Sequence, residues 1–194
     1  GADVGFLAVQ GYTAGFAVSG GTDTFQAKVK GSPGGQVEVK LFGSGDDSVA
    51  TITLATYGGA TDLGDGWYEI SIPFSEFTNP GNIPNHSGWL LGPPGDQGAP
   101  FVFLLTDVGF STAGGGTADP GTIPDVVLYA TSATVDVPFP DGGITDFGSG
   151  ATFDAAYALD SSFNPVFSVT SGTNFDGADV GFLAVQGYTA GFAV

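Results

Sequence analysis

The chain has 194 residues, is 42% hydrophobic with 17 Phe, and carries a formal charge of −17, too apolar for an acidic disordered segment. With three Lys and no Arg, it lacks the basic footprint of a nucleic-acid binder, and its charge disfavours anionic membranes. Cys and Met are absent, so disulfide, thiolate and thioether chemistry are excluded, and no run of about 18 apolar residues is present to span a bilayer.

In chain order, the first segment, GADVGFLAVQGYTAGFAV at residues 1–18, is strand-like and returns letter for letter at residues 177–194, an offset of 177 − 1 = 176. An 18-residue identity points to a 176-residue tandem repeat, with the chain as one unit plus 18 residues. A duplicated end added to the chain is the alternative. Period-two alternation follows. Phe25, Ala27 and Val29 alternate with Gln26, Lys28 and Lys30; Val37, Val39 and Leu41 alternate with Glu38 and Lys40. Tyr68, Ile70 and Ile72 alternate with Trp67, Glu69 and Ser71. Each pattern predicts a strand with one apolar face. Residues 49–57, 101–106 and 126–137 are further β-rich runs, separated by Gly, Pro, Asn and Asp clusters. The expected fold is all-β, a two-sheet antiparallel sandwich or jelly roll. Its expected core includes Phe25, Val29, Val37, Val39, Leu41, Ile52, Leu54, Tyr68, Ile70, Ile72, Phe103 and Leu105. Gln26, Lys28, Lys30, Glu38 and Lys40 are expected on the more exposed face. If the Gly31–Gly35 turn closes as a simple hairpin, Lys28 falls near Glu38.

Residues 112–125, rich in Gly, Pro and Thr, read as a linker. The expected division is 1–111 as the larger part of one sandwich and 126–194 as the opening strands of the next. The first copy of the repeated segment is expected to pack with residues 19–111. The second is expected to leave for the equivalent slot of the next unit. Its candidate assembly residues are Phe182, Leu183, Val185, Tyr188 and Phe192.

Three Asp-bearing loops suit a hard cation such as Ca2+: Asp46 and Asp47, Asp62 and Asp65, and Asp141 and Asp146. The plainer reading is turn-capping Asp in contact with water. Trp67 and Trp89 are the two tryptophans and the candidates for stacking on sugar rings. Trp67 is out of phase with the apolar set and should point away from the core. His86, Lys28, Lys30 and Lys40 complete a candidate glycan-binding set. The lysines could equally meet an acidic surface of a neighbouring copy, or pair internally. The single His sits in a Pro/Asn loop, and no nucleophile-elbow pattern is present, so no enzymatic activity is expected.

Two stretches, DGWYEISIPFSEF and GWLLGPPGDQGAPFVFLLTDVGF, resemble the later strands of jelly-roll carbohydrate-binding modules of secreted marine bacterial polysaccharidases. DVVLYATSATVD and FGSGATFDAAYALDSSFNPVFSVTSG resemble the opening of such modules, so the likeness covers most of the 176-residue unit. The resemblance implies a glycan-binding type of β-sandwich, often with structural calcium, and puts a calcium-ligating acid at Asp107. Two functions are therefore expected. The first is a structural repeat of an extracellular filament, stalk or giant adhesin, secreted or on a cell surface, its copies contacting one another head to tail. The alternative is a non-catalytic carbohydrate-binding module of a secreted polysaccharide-degrading protein, with extracellular polysaccharide as partner.

Overall fold

The computed structural model describes residues 6–10, 22–94, 101–112, 126–129, 144–145, 152–154, 167–170 and 182–186. Its strands are β1 (Phe6–Gln10), β2 (Thr22–Lys30), β3 (Gln36–Gly43), β4 (Ser48–Thr53), β5 (Ala60–Gly64), β6 (Trp67–Pro73) and β7 (His86–Gly92). They continue with β8 (Val102–Thr112), β9 (Val126–Tyr129), β10 (Ile144–Thr145), β11 (Thr152–Asp154), β12 (Phe167–Thr170) and β13 (Phe182–Gln186). A six-stranded sheet has the order β10-β13-β1-β7-β3-β4; a seven-stranded sheet has the order β11-β12-β8-β2-β6-β5, with β9 also on β8. The pairings are antiparallel except β1 with β13, which is parallel. The protein is an all-β sandwich. Among the described residues no helix is long and apolar enough to cross a membrane.

The alternation seen in the sequence becomes the sandwich interior. Val37, Val39 and Leu41 of β3, with Trp89 and Leu91 of β7, face Phe25, Ala27 and Val29 of β2 and Ile70 and Ile72 of β6. Phe103, Leu105, Val108 and Phe110 of β8 complete the layer. Phe110 meets Phe25 and Phe74 edge to face, at centroid distances of 6.0 and 5.5 Å. Every expected core residue is buried except Tyr68, which is half-buried against the cluster.

The link between β2 and β3 departs from the expected hairpin. β2 lies in the seven-stranded sheet and β3 in the six-stranded one, so residues 31–35 arch between sheets. Glycine makes this arch possible. Gly31 has φ +86°, and a Cβ there would sit 2.3 Å from the Val102 carbonyl oxygen. Pro33–Gly35 forms a 3-10 turn, and the Gly35 carbonyl accepts a bond from Leu54 N at 2.8 Å. Lys28 and Glu38 therefore belong to different sheets, and the three lysines do not share a face. The paired hairpin face expected from the sequence is not formed.

The strands after residue 125 join the same two sheets. β9 pairs with the second half of β8 and β12 with its first half, while β10 and β13 extend the six-stranded sheet. The strands described after residue 125 thus lie in the same two sheets as those before it. Residues 113–125 lie outside the described residues.

Candidate functional site

The outer face of the seven-stranded sheet carries a polar centre on β2. Lys28 lies opposite Glu69 of β6 and opposite Thr106 of β8. A β-bulge sets the geometry on the β8 side. Gln26 pairs with Gly109 but Lys28 with Thr106, so β8 spends one extra residue there. Asp107 takes it up with φ +50°, a left-handed conformation rare for any residue but Gly, Asn or Asp. Before the bulge Phe103 and Leu105 face the core; after it Val108 and Phe110 do. The carboxylate of Asp107 is thereby turned to the outer face. It accepts a bond from Lys28 Nζ at 2.9 Å and one from Thr106 Oγ1 at 3.3 Å.

Lys28 and Asp107 are 1% and 2% exposed. Glu69 is 6% exposed, and its Oε2 has no hydrogen-bond partner. Burial pushes the Glu69 pKa above its ordinary value; Lys28 pulls it down, and Asp107 pushes it up further. One ammonium thus contacts the Asp107 carboxylate directly and acts on the Glu69 carboxyl group by charge. A neighbouring row is fully bonded: Gln26 Nε2 donates to Ser71 Oγ at 3.0 Å, and Ser111 Oγ donates to Gln26 Oε1 at 2.5 Å. On the other side Lys30 Nζ lies 5.9 Å from the Trp67 ring centroid.

A second polar cluster closes one end of the core. The shift of register between Phe42 and Gly43 brings His86 opposite Gly43, on the core side of β7. There His86 Nε2 lies 2.9 Å from Ser48 Oγ, and both residues are fully buried. Ser48 Oγ also donates to the Asn79 carbonyl at 2.9 Å. The serine has one proton to give, so the complete arrangement has His86 Nε2–H donating to Ser48. His86 is then a donor rather than a base for Ser48, and its Nδ1 has no partner. Burial lowers the His86 pKa, with Asp47 opposing. The pair braces a loop joint. Asn79 Nδ2 and Asn82 Nδ2 donate to the carbonyls of Asp47 and Asp46, each at 3.0 Å.

The expected glycan-binding set is not brought together. Trp67 and Trp89 are 1% and 0% exposed, Lys28 is 1% exposed, and His86 is fully buried. Trp89 belongs to the core itself. Trp67 is not part of the core cluster, as its phase requires, yet it is buried. Lys30 and Lys40 are half-buried on different sheets. Lys40 Nζ pairs with Asp47 Oδ2 at 3.3 Å.

The expected metal ligands are also dispersed. Asp107, the acid expected as a calcium ligand, is buried in an ion pair with Lys28 at 2.9 Å. Asp46 and Asp47 are exposed, and Asp62 and Asp65 belong to the β5–β6 hairpin, where Asp62 Oδ1 accepts from Gly64 N at 2.8 Å. Asp141 and Asp146 lie outside the described residues. Among the described residues no group of three or more His, Cys, Asp or Glu is arranged to hold a metal ion.

Of the second copy of the repeated segment, β13 is described, and it belongs to the six-stranded sheet. It lies parallel to β1 in matched register, Phe6 beside Phe182 through Gln10 beside Gln186. The first copy pairs with β7 on its other edge. Phe182, Leu183 and Val185 are thus in one sheet with their own counterparts, while Tyr188 and Phe192 lie outside the described residues.

Sequence reasoning missed the Ser48–His86 contact and the Lys28–Asp107–Glu69 triad. Neither pair is close in sequence, and the bulges that aim Asp107 and His86 leave no local signal beyond a broken alternation. The chain matches no family model, no curated protein and no solved structure.

Proposed function

We propose that this chain is the repeating structural unit of an extracellular filament, stalk or large adhesin, joined to its neighbours through the repeated segment. The observation that carries the reading is the return of residues 1–18 as residues 177–194 without a change. A fibre of like units reuses one joint at every step, so the joint must be the same sequence each time. The parallel pairing of β1 with β13 supports it. An edge that accepts these five residues from its own chain can accept them from an adjoining unit by the same backbone bonds. In a tandem chain the segment then has two homes: beside β1 of its own unit, or beside β7 of the next.

The unit's Trp side chains are buried, and the two most central polar clusters are closed. The carbohydrate-binding alternative would need stacking faces other than Trp67 and Trp89. Calcium enters as a partner of the assembly: units of this charge repel one another, and a divalent cation among the exposed Asp residues would screen them. Electron microscopy of a secreted chain with one, three and six consecutive units tests the proposal. Rods that lengthen in proportion to unit number are expected; separate beads at variable spacing would overturn it.

A further inference from the structure

We infer that Lys28 and Asp107 are the partners of an intramolecular amide cross-link, formed by the protein itself with Glu69 as proton carrier. Three observations meet at this point. The amine nitrogen and the carboxylate are in contact at 2.9 Å, on adjacent strands where Asp107 is the bulge residue beside the Lys28–Thr106 pair, with both side chains withdrawn from solvent. A second carboxyl group, Glu69, faces the same lysine from the opposite strand. Its Oε2 is buried and makes no hydrogen bond. A buried acid without a partner is costly, and one held next to an amine and a carboxyl group has a use in proton transfer.

The chemistry balances without any further reagent. A proton passes from the Lys28 ammonium to the Asp107 carboxylate, giving a neutral amine and a neutral acid. The Nζ lone pair attacks Asp107 Cγ, forming the N–C bond and a tetrahedral centre. Glu69, which burial keeps toward its protonated form, gives its proton to an oxygen on that centre and takes one from Nζ. The C–O bond breaks and water leaves. Nζ keeps one hydrogen, Glu69 is restored, and the ammonium and carboxylate have become one neutral amide. Nothing is oxidised or reduced. The apolar setting favours this direction, because two buried charges are replaced by a neutral group and the water escapes. Holding the groups in contact supplies the entropy that the reaction lacks in solution. The bulge at Asp107 has a purpose in this scheme. Without the extra residue the carboxylate would point into the core.

The product ties β2 to β8 and closes residues 28–107 into a covalent loop, β2 through β8. Tension applied through β1 and β13 could then not unravel the centre of the sandwich. Intact-mass measurement of the folded, purified chain after full denaturation decides the matter. The expected mass is below the sequence mass by one water, with a branched peptide joining Lys28 to Asp107 on chymotryptic digestion. Lys28→Met and Glu69→Gln should retain their full sequence masses. Asp107→Asn should lose one ammonia instead, because the side-chain amide is then the leaving group. A wild-type chain that melts cooperatively yet has its full sequence mass overturns the proposal. So does a water loss that persists in Lys28→Met, which would mark a succinimide elsewhere. Cross-linking in Glu69→Gln at the wild-type rate would remove Glu69 from the scheme.

Discussion

Lys28 is one of only three cationic side chains in the protein, and it is spent in the interior. Removing it leaves Asp107 and Glu69 facing each other without a counter-charge. Lys28→Met should cost about 3–5 kcal/mol from that charge alone. Urea denaturation of Lys28→Met beside the triple variant Lys28→Met/Asp107→Leu/Glu69→Gln checks this; the triple variant should recover the part of the loss due to uncompensated charge, but not the part due to the lost cross-link. His86 makes a second residue-level prediction. Its folded-state pKa is lowered from 6.5, so the unfolded chain binds its proton first as pH falls. Stability from this group is complete above pH 6.5 and declines as pH drops through the depressed value. A thermal midpoint measured from neutral to mildly acid pH should fall, and His86→Gln should flatten the part of that slope due to this group. The alternation of β2 and β6 made the inward residues legible, and Phe25 through Ile72 lie where it predicts. It could not say whether the outward residues meet water. Period two reports which face a side chain joins, not what lies over that face, so Lys28, Glu69 and Trp67 were expected outside and are buried.

Turns decide what strands alone leave open. The sequence GSPGG between β2 and β3 reads equally well as a hairpin loop or an arch, because both need glycine at positive φ. Choosing between them needs the distant Val102 carbonyl, which fills the space beside Gly31. This gives a contrast to test. Gly31→Ala meets both a left-handed backbone and a clash at 2.3 Å, whereas Gly34 has φ +67° and open space around it. Gly34→Ala should cost about 1 kcal/mol and Gly31→Ala clearly more. Chemical denaturation midpoints of the two variants provide the comparison; equal losses would mean the arch is not closed against β8. β8 itself shows a limit of pattern reading. The run 101–106 was legible as a strand, but β8 continues to Thr112. The bulge at Asp107 reverses its inward phase, and a fixed period stops at that point.

For the whole molecule, charge and repetition matter more than any one site. At a formal −17, the proposed neighbouring units would repel, and salt or a divalent cation would screen the repulsion. Adding calcium at constant ionic strength should therefore promote association, and chelation should reverse it, as followed by light scattering; no response would remove calcium from the account. The repeat was legible in the sequence without any structure, whereas the home of its second copy was not. Identical strands fit the same slots, and in the proposed assembly the slot filled depends on the competition between β1 in the same chain and β7 in another unit. Such competition depends on concentration, because only one of its two outcomes joins molecules. The most direct measurement is mass photometry of the full chain and of a chain lacking residues 177–194, each over a concentration series. The account predicts a ladder of head-to-tail oligomers that grows with concentration for the full chain, and monomers for the shortened one. Equal assembly by both chains, or monomers from both at every concentration, would contradict it.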